Sequence, residues 1–213
     1  MKALVDNDVI LKSAKYALLE VLLVNLPPTD IPVGILGSAR FVLTTVLRRS
    51  GKPDATEVIE RILEFIGANE TLEPTHAELA FAAELEYYAQ SAGLFFDIGE
   101  SMLCSILVVR GLPLLITGDK RAIFSIEQII DSCPKMTGVI GKVKCMEQLL
   151  TERLDTGNVD IIRMAICQKP TVDKALFICC NCSSPTASLD LILEGLNSYI
   201  RSVRASAQRA LCA

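Results

Sequence analysis

Between Pro113 and Gly118 stands a short apolar run, Leu114, Leu115, Ile116 and Thr117. It is too short for a buried helix and is flanked by turn formers, so it reads as a strand buried on both faces. Gly118 and Asp119 follow, which puts an acid at the strand's carboxyl end. The run closes a stretch, Phe95 to Ala122, that opens with two further acids, Asp97 and Glu100. A spacing of three residues is close to one helical turn, so a helix starting at Asp97 carries both carboxylates on one face. Its expected buried stripe is Met102, Ile106 and Val109. Ligands of open α/β sheets bind at the carboxyl ends of strands, which is where these acids fall.

The same strand-then-helix rhythm runs through the first two thirds of the chain. Ala3 to Val5 reads as a strand ending at Asp6-Asn7-Asp8, and Val9 to Leu26 as one helix stopped by Pro27-Pro28. Ile31 to Leu36 is expected as a second strand, and Leu72 as the start of a third. Helices are expected from a Ser38 cap to Leu47, from an Asp54 cap through Ile66, from a Thr75 cap to Gln90, and from Ser125 to Ser132. Pro134 to Gly141 reads as a loop. From Lys142 onward only helices are expected: Val143 to Leu154, Val159 to Cys167, Val172 to Cys179 and Thr186 to Leu211. The fold class is therefore α/β, with a parallel sheet and its helices over residues 1–140 and a helical region over 141–213.

Composition sets limits. A chain of 213 residues with 51% hydrophobic content can bury a large core. The net charge of −4 gives no overall basic field for nucleic acid. The charge is uneven, with 12 basic and 18 acidic residues up to 140 and 9 basic and 7 acidic beyond. A polyanion would therefore lean on the back part, where Arg201, Arg204 and Arg209 stand, or on Lys120-Arg121 and Arg48-Arg49. Each of these alone reads as a solvated face. Aromatic residues are 5% of the chain and Trp is absent, so no base-stacking platform is expected. No secretory signal is visible, and Tyr16 to Leu26 is too short to span a bilayer. The expectation is a soluble, cytoplasmic protein whose eight cysteines stay reduced. Cys179, Cys180 and Cys182, with Cys167, lack paired Cys-x-x-Cys units and read as structural. His76 reads as a surface or capping residue. Leu189, Ile192, Leu193 and Leu196 form a stripe that suits either internal packing or a homodimer.

The acids at expected strand ends and helix starts are Asp6, Asp8, Asp97, Glu100 and Asp119. Singly, each is an ordinary helix cap. Jointly, clustered carboxylates repel unless a cation sits among them, and Mg²⁺ and Mn²⁺ prefer such oxygens. A cation held there can activate water against a phosphodiester.

These residues carry a resemblance. ALVDNDVILKSA, residues 3–14, resembles the opening strand and first acid of PIN-like nucleases. FFDIGESMLCSILVVRGLPLLITGDKRA, residues 95–122, resembles their third and fourth acidic motifs. The resemblance covers about residues 1–130. It implies a three-layer α/β/α sandwich, with Asp6, Asp97, Glu100 and Asp119 as ligands of Mg²⁺ or Mn²⁺ and Asp8 in support. It implies cleavage of nucleic acid, RNA more than DNA. One departure stands out: where the family usually has a second acid, after strand two, this chain has Arg40. Either Glu57, Glu60 or Glu64 substitutes, or the site has lost a ligand and serves as a regulatory or scaffolding module. An Asp-x-Asp opening also fits haloacid-dehalogenase-like phosphatases, whose first Asp is a nucleophile. Their later motif needs a further acid, but Asp119 is followed by Lys120, Arg121, Ala122 and Ile123.

Overall fold

The computed structural model describes residues 3–24, 26, 32–154 and 157–213. The first strand, β1 (Ala3–Val5), leads through Asp6 into α1 (Asn7–Tyr16), α2 (Leu19–Leu23) and β2 (Val33–Leu36). Next come α3 (Ala39–Ser50), α4 (Ala55–Ala68), β3 (Glu70–Leu72), α5 (His76–Ser91), α6 (Ile98–Val109) and β4 (Leu114–Thr117). The chain ends with α7 (Lys120–Ser132), a 3₁₀ turn (Pro134–Val139), β5 (Val143–Cys145), α8 (Met146–Leu154), α9 (Val159–Cys167), α10 (Lys174–Cys179) and α11 (Leu189–Ser206).

The strands form one all-parallel sheet in the order β3-β2-β1-β4-β5. Successive residues face opposite sides, and both sides are buried. Ala3, Val5, Val33, Ile35, Leu114 and Ile116 join one apolar cluster with α1, α4, α8 and α9. Leu4, Leu36, Leu72, Leu115, Val143 and Cys145 join the other with α5, α6 and α7. Burial on both faces is why β1, β2 and β4 are nearly continuous apolar runs rather than alternating ones, whereas Glu70 and Thr71 of the edge strand β3 are exposed. Each fully buried Leu or Ile contributes about 1.5–3 kcal/mol relative to exposure. No helix among the described residues is long and apolar enough to cross a membrane.

Several expectations need correction. The single helix Val9 to Leu26 is broken at Ala17, which takes the left-handed conformation (φ 59°) and closes α1 through its N–H. The Pro27-Pro28 stop lies outside the described residues. Val143 does not start a helix: Val143–Cys145 pairs with Leu115–Thr117 as a fifth strand, and α8 begins at Met146. The sheet therefore continues past the boundary expected near residue 140. The Val143 N–H donates to the Ala210 carbonyl at 3.0 Å, and the Cys212 N–H donates to the Val143 carbonyl at 2.7 Å. The C-terminal residues thus cover the outer side of β5, an edge that would otherwise invite strand addition. The α6 stripe is also displaced. Leu103, Cys104, Ile106 and Leu107 are buried, while Val109 is 49% exposed. The helix packs on both α5 and the sheet, so Ser101 and Ser105 also face inward, donating to Glu86 Oε1 and the Glu78 carbonyl.

The cysteines are not all reduced: Cys167 and Cys182 form a disulfide that closes a separation of 15 residues. Ile192 and Leu196 lie in the core, with Leu189 and Leu193 packed against it, so that stripe serves internal packing. Arg204 and Arg209 are structural. Arg204 donates to the Cys212 carbonyl, and Arg209 binds Glu127 and Asp131.

Candidate functional site

Strand order reverses between β1 and β4: from β1 the chain steps outward to β2 and β3, and from β4 to β5 on the other side. A crevice opens at such a switch point beyond the strands' carboxyl ends. Asp6 leaves β1 and Asp119 leaves β4 at that point. The Thr117 hydroxyl donates to Asp6 Oδ2 at 3.0 Å across it, and the Asp6 N–H donates to the Ile116 carbonyl. Asp6 is 8% exposed. Burial pushes its carboxyl up to about 6, against the Thr117 hydrogen bond and with the charges of Asp8 and Asp97 adding to the rise.

Asp97 and Glu100 arrive from α6. Asp97 is the N-cap and Glu100 the third helical residue. Asp97 Oδ1 accepts the Glu100 N–H at 2.9 Å, and Glu100 Oε2 accepts the Asp97 N–H at 2.7 Å. This reciprocal capping box fixes the start of the helix at the crevice. Burial pushes Glu100 up to about 8; the Asp97 N–H opposes the rise, and the charges of Asp97, Asp6 and Asp119 add to it. The charges of Asp97, Asp6 and Asp119 therefore act on Glu100, and that of Asp97 on Asp6.

Asp119 caps α7 and accepts the Arg121 N–H at 2.8 Å. The Arg121 guanidinium grips the same carboxylate, with Nη2 2.8 Å from Oδ2. Burial pushes Asp119 up, but the Arg121 contacts outweigh it and hold the carboxyl below its usual range. Asp8 pairs with Lys12 at 2.7 Å, and Lys12 also binds Asp173 at 2.8 Å. Lys120 pairs with the buried Glu147 at 2.7 Å. Gly118 leaves room for Asp8: a Cβ there would stand 2.4 Å from Asp8 Oδ2.

Arg40 is exposed in the first turn of α3 and binds no carboxylate among the described residues. The arginine that does occupy the acidic crevice is Arg121. The acids of α4 do not take the missing position. Glu57 pairs with Arg61, which also reaches the Ala14 carbonyl at the far end of α1, and Glu64 lines a different cavity with Arg61 and Phe65. Glu60 is exposed on the same helix. Sequence reasoning missed Glu73. It directly follows β3 and lines a cavity of about 400 Å³ with Asn7, Ser38 and Asp97. An acid placed just after a strand was the signal that could have found it.

The donor set is carboxylate oxygen throughout, which fits a hard divalent cation in chemistry. As the side chains stand, no group of three acids, histidines or cysteines among the described residues could hold a metal ion. Asp119 is committed to Arg121, and Asp97 and Glu100 are committed to each other's N–H groups. Comparison with protein-family models, curated proteins and solved structures finds no match to this chain.

Proposed function

We propose that the chain is a metal-dependent nuclease of the PIN-like kind, acting on RNA in preference to DNA. The observation that carries the reading is that Asp6 and Asp119 leave adjacent strands at the sheet's switch point, where the start of α6 brings Glu100 within reach of their charges. The strand order and the helices on both faces support the PIN-like sandwich as the fold. A carboxylate raised by burial, with other acids adding to the rise, is relieved when a cation joins them. Asp6, Asp97, Glu100 and Asp119 would hold Mg²⁺ or Mn²⁺, which supplies an activated water and charge stabilisation at a phosphodiester. Within that arrangement the Thr117 hydroxyl orients Asp6, and the capping box sets Asp97 and Glu100 at the crevice mouth. Glu73 stands by as a further carboxylate on the β3 side. Arg121, once detached from Asp119, is free to meet a phosphate.

A second reading has its own support. The Arg121–Asp119 pair neutralises a would-be ligand from within the chain, and no acid follows β2. A regulatory module that no longer cleaves fits those facts. The phosphatase reading has no comparable support, because Asp8 is held by Lys12.

The test is Mn²⁺-dependent cleavage of single-stranded RNA and DNA by purified protein, beside Asp6→Asn and Asp119→Asn. Cleavage lost in both variants is expected. Cleavage that survives both rejects the site. Calorimetric titration with Mn²⁺ separates the two readings: acid-dependent binding supports the nuclease, and no binding supports the regulatory module.

A further inference from the structure

A second cavity, of about 450 Å³, lies between the first turn of α7, the C-terminal half of α11 and the loop from Gly93 to Phe95. Its floor is apolar, built from Leu94, Ile123 and Val203. Two aromatic rings stand out at its edge, with Phe95 71% and Phe124 43% exposed. Holding such rings in water forgoes about 25 cal/mol for each Å² left uncovered. Ser125 Oγ donates to the Phe95 carbonyl at 2.7 Å and ties the loop backbone to α7. Two cations line the same cavity, Lys120 paired on its other side with Glu147 and Arg121 with Asp119. The Arg121 guanidinium lies 5.6 Å from the centre of the Phe95 ring, and the Lys120 ammonium 5.0 Å from that of Tyr199.

Aromatic faces beside cations match one ligand chemistry well, a planar base carrying a phosphate. Lys120 and Arg121 are also the two residues that follow Asp119, so the cavity adjoins the acidic crevice. We propose that it seats an unpaired base of a single-stranded nucleic acid, with the base against Phe95 and Phe124 and its phosphate toward Arg121. This deepens the phosphodiesterase reading and rests on it. The low aromatic content argued against a stacking platform, but two exposed rings in one cavity are enough to form one.

The probe is a short single-stranded oligonucleotide carrying one 2-aminopurine, in ribo and deoxyribo forms, with the protein in chelator so that nothing is cut. Stacking quenches the fluorescence. Phe95→Leu and Phe124→Leu keep apolar bulk and remove the ring; each is expected to weaken binding about tenfold, the scale of one lost base stack. Tyr87→Leu, which removes an exposed ring on α5, is expected to bind as the parent does. Ring variants that bind as well as the parent overturn the proposal. So does a free nucleoside monophosphate that binds as tightly as the oligonucleotide, which would make the cavity a small-molecule site. Cleavage in Mn²⁺ is measured separately. Quenching with no cleavage rejects the nuclease reading and keeps the base site. Cleavage with ring-independent binding rejects the base site alone.

Discussion

Arg110 and Glu78 join the end of α6 to the start of α5. Glu78 is 1% exposed and accepts two charged hydrogen bonds, from Arg110 Nε at 2.6 Å and Nη2 at 2.8 Å. Arg110 Nη2 also donates to the Glu73 carbonyl at 2.8 Å, so the pair braces the loop that carries Glu73 and Pro74. The arginine holds the Glu78 carboxyl down at about 2 from an ordinary 4.5. At about 1.4 kcal/mol for each pH unit, that depression is worth about 3 kcal/mol. Arg110 is 30% exposed, so solvent screening trims the figure to about 2 kcal/mol. Because the folded value is depressed, the stabilisation is complete above pH 4.5 and is lost as pH falls toward 2. Glu78→Gln removes the charge but keeps an acceptor for the Thr75 N–H in the capping box. Urea unfolding should therefore show the variant about 2 kcal/mol less stable at pH 7, with a gap that narrows steadily below pH 4.5. Amide exchange at Thr75, whose N–H donates to Glu78, should quicken in parallel. A gap that stays constant down to pH 3 would refute the reasoning, because it would place the energy in packing rather than in the charged pair.

Three further outcomes follow from the same geometry. In chelator, Glu100→Gln should gain stability over the parent as pH rises from 4.5 toward 8, since the parent's folded carboxyl is raised to about 8 and its ionisation costs stability across that window. Denaturation midpoints against pH check it, and a flat difference would mean that burial does not hold the Glu100 carboxyl up. Gly118→Ala forces a methyl group against Asp8 and should destabilise by about 1–3 kcal/mol, read by thermal unfolding; an unchanged midpoint would mean Asp8 moves freely. Cys167→Ser opens the loop to Cys182 and should destabilise by about 3 kcal/mol under oxidising conditions and not at all in reductant, with peptide mapping to verify the bridge.

How much of this was legible beforehand differs by element. β1 and β4 were readable because a strand buried on both faces writes itself as an unbroken apolar run. The Thr75 and Asp97 caps were readable because capping chemistry is local. Val143–Cys145 was misread because three residues ahead of a helical pattern carry no period of their own; pairing with β4 makes them a strand. Ala17 was missed for the same kind of reason, since nothing in Tyr16-Ala17-Leu18 announces a left-handed residue. The acids were legible as residues at strand ends and helix starts, while their commitment to Lys12, to Arg121 and to each other's N–H groups shows only in the folded side chains.

Sequence alone determined the alternation of strands and helices and the acids at strand ends, because each depends on neighbours within a few residues. Tertiary structure decided the rest. It put Glu73 and Asp97 on the wall of one cavity, set Gly118 against Asp8, left Arg40 outside the crevice and closed the sheet edge with residues 210–212. Those outcomes depend on side chains meeting across the fold, and the free energy of such meetings is set by burial and charge in three dimensions rather than by order along the chain.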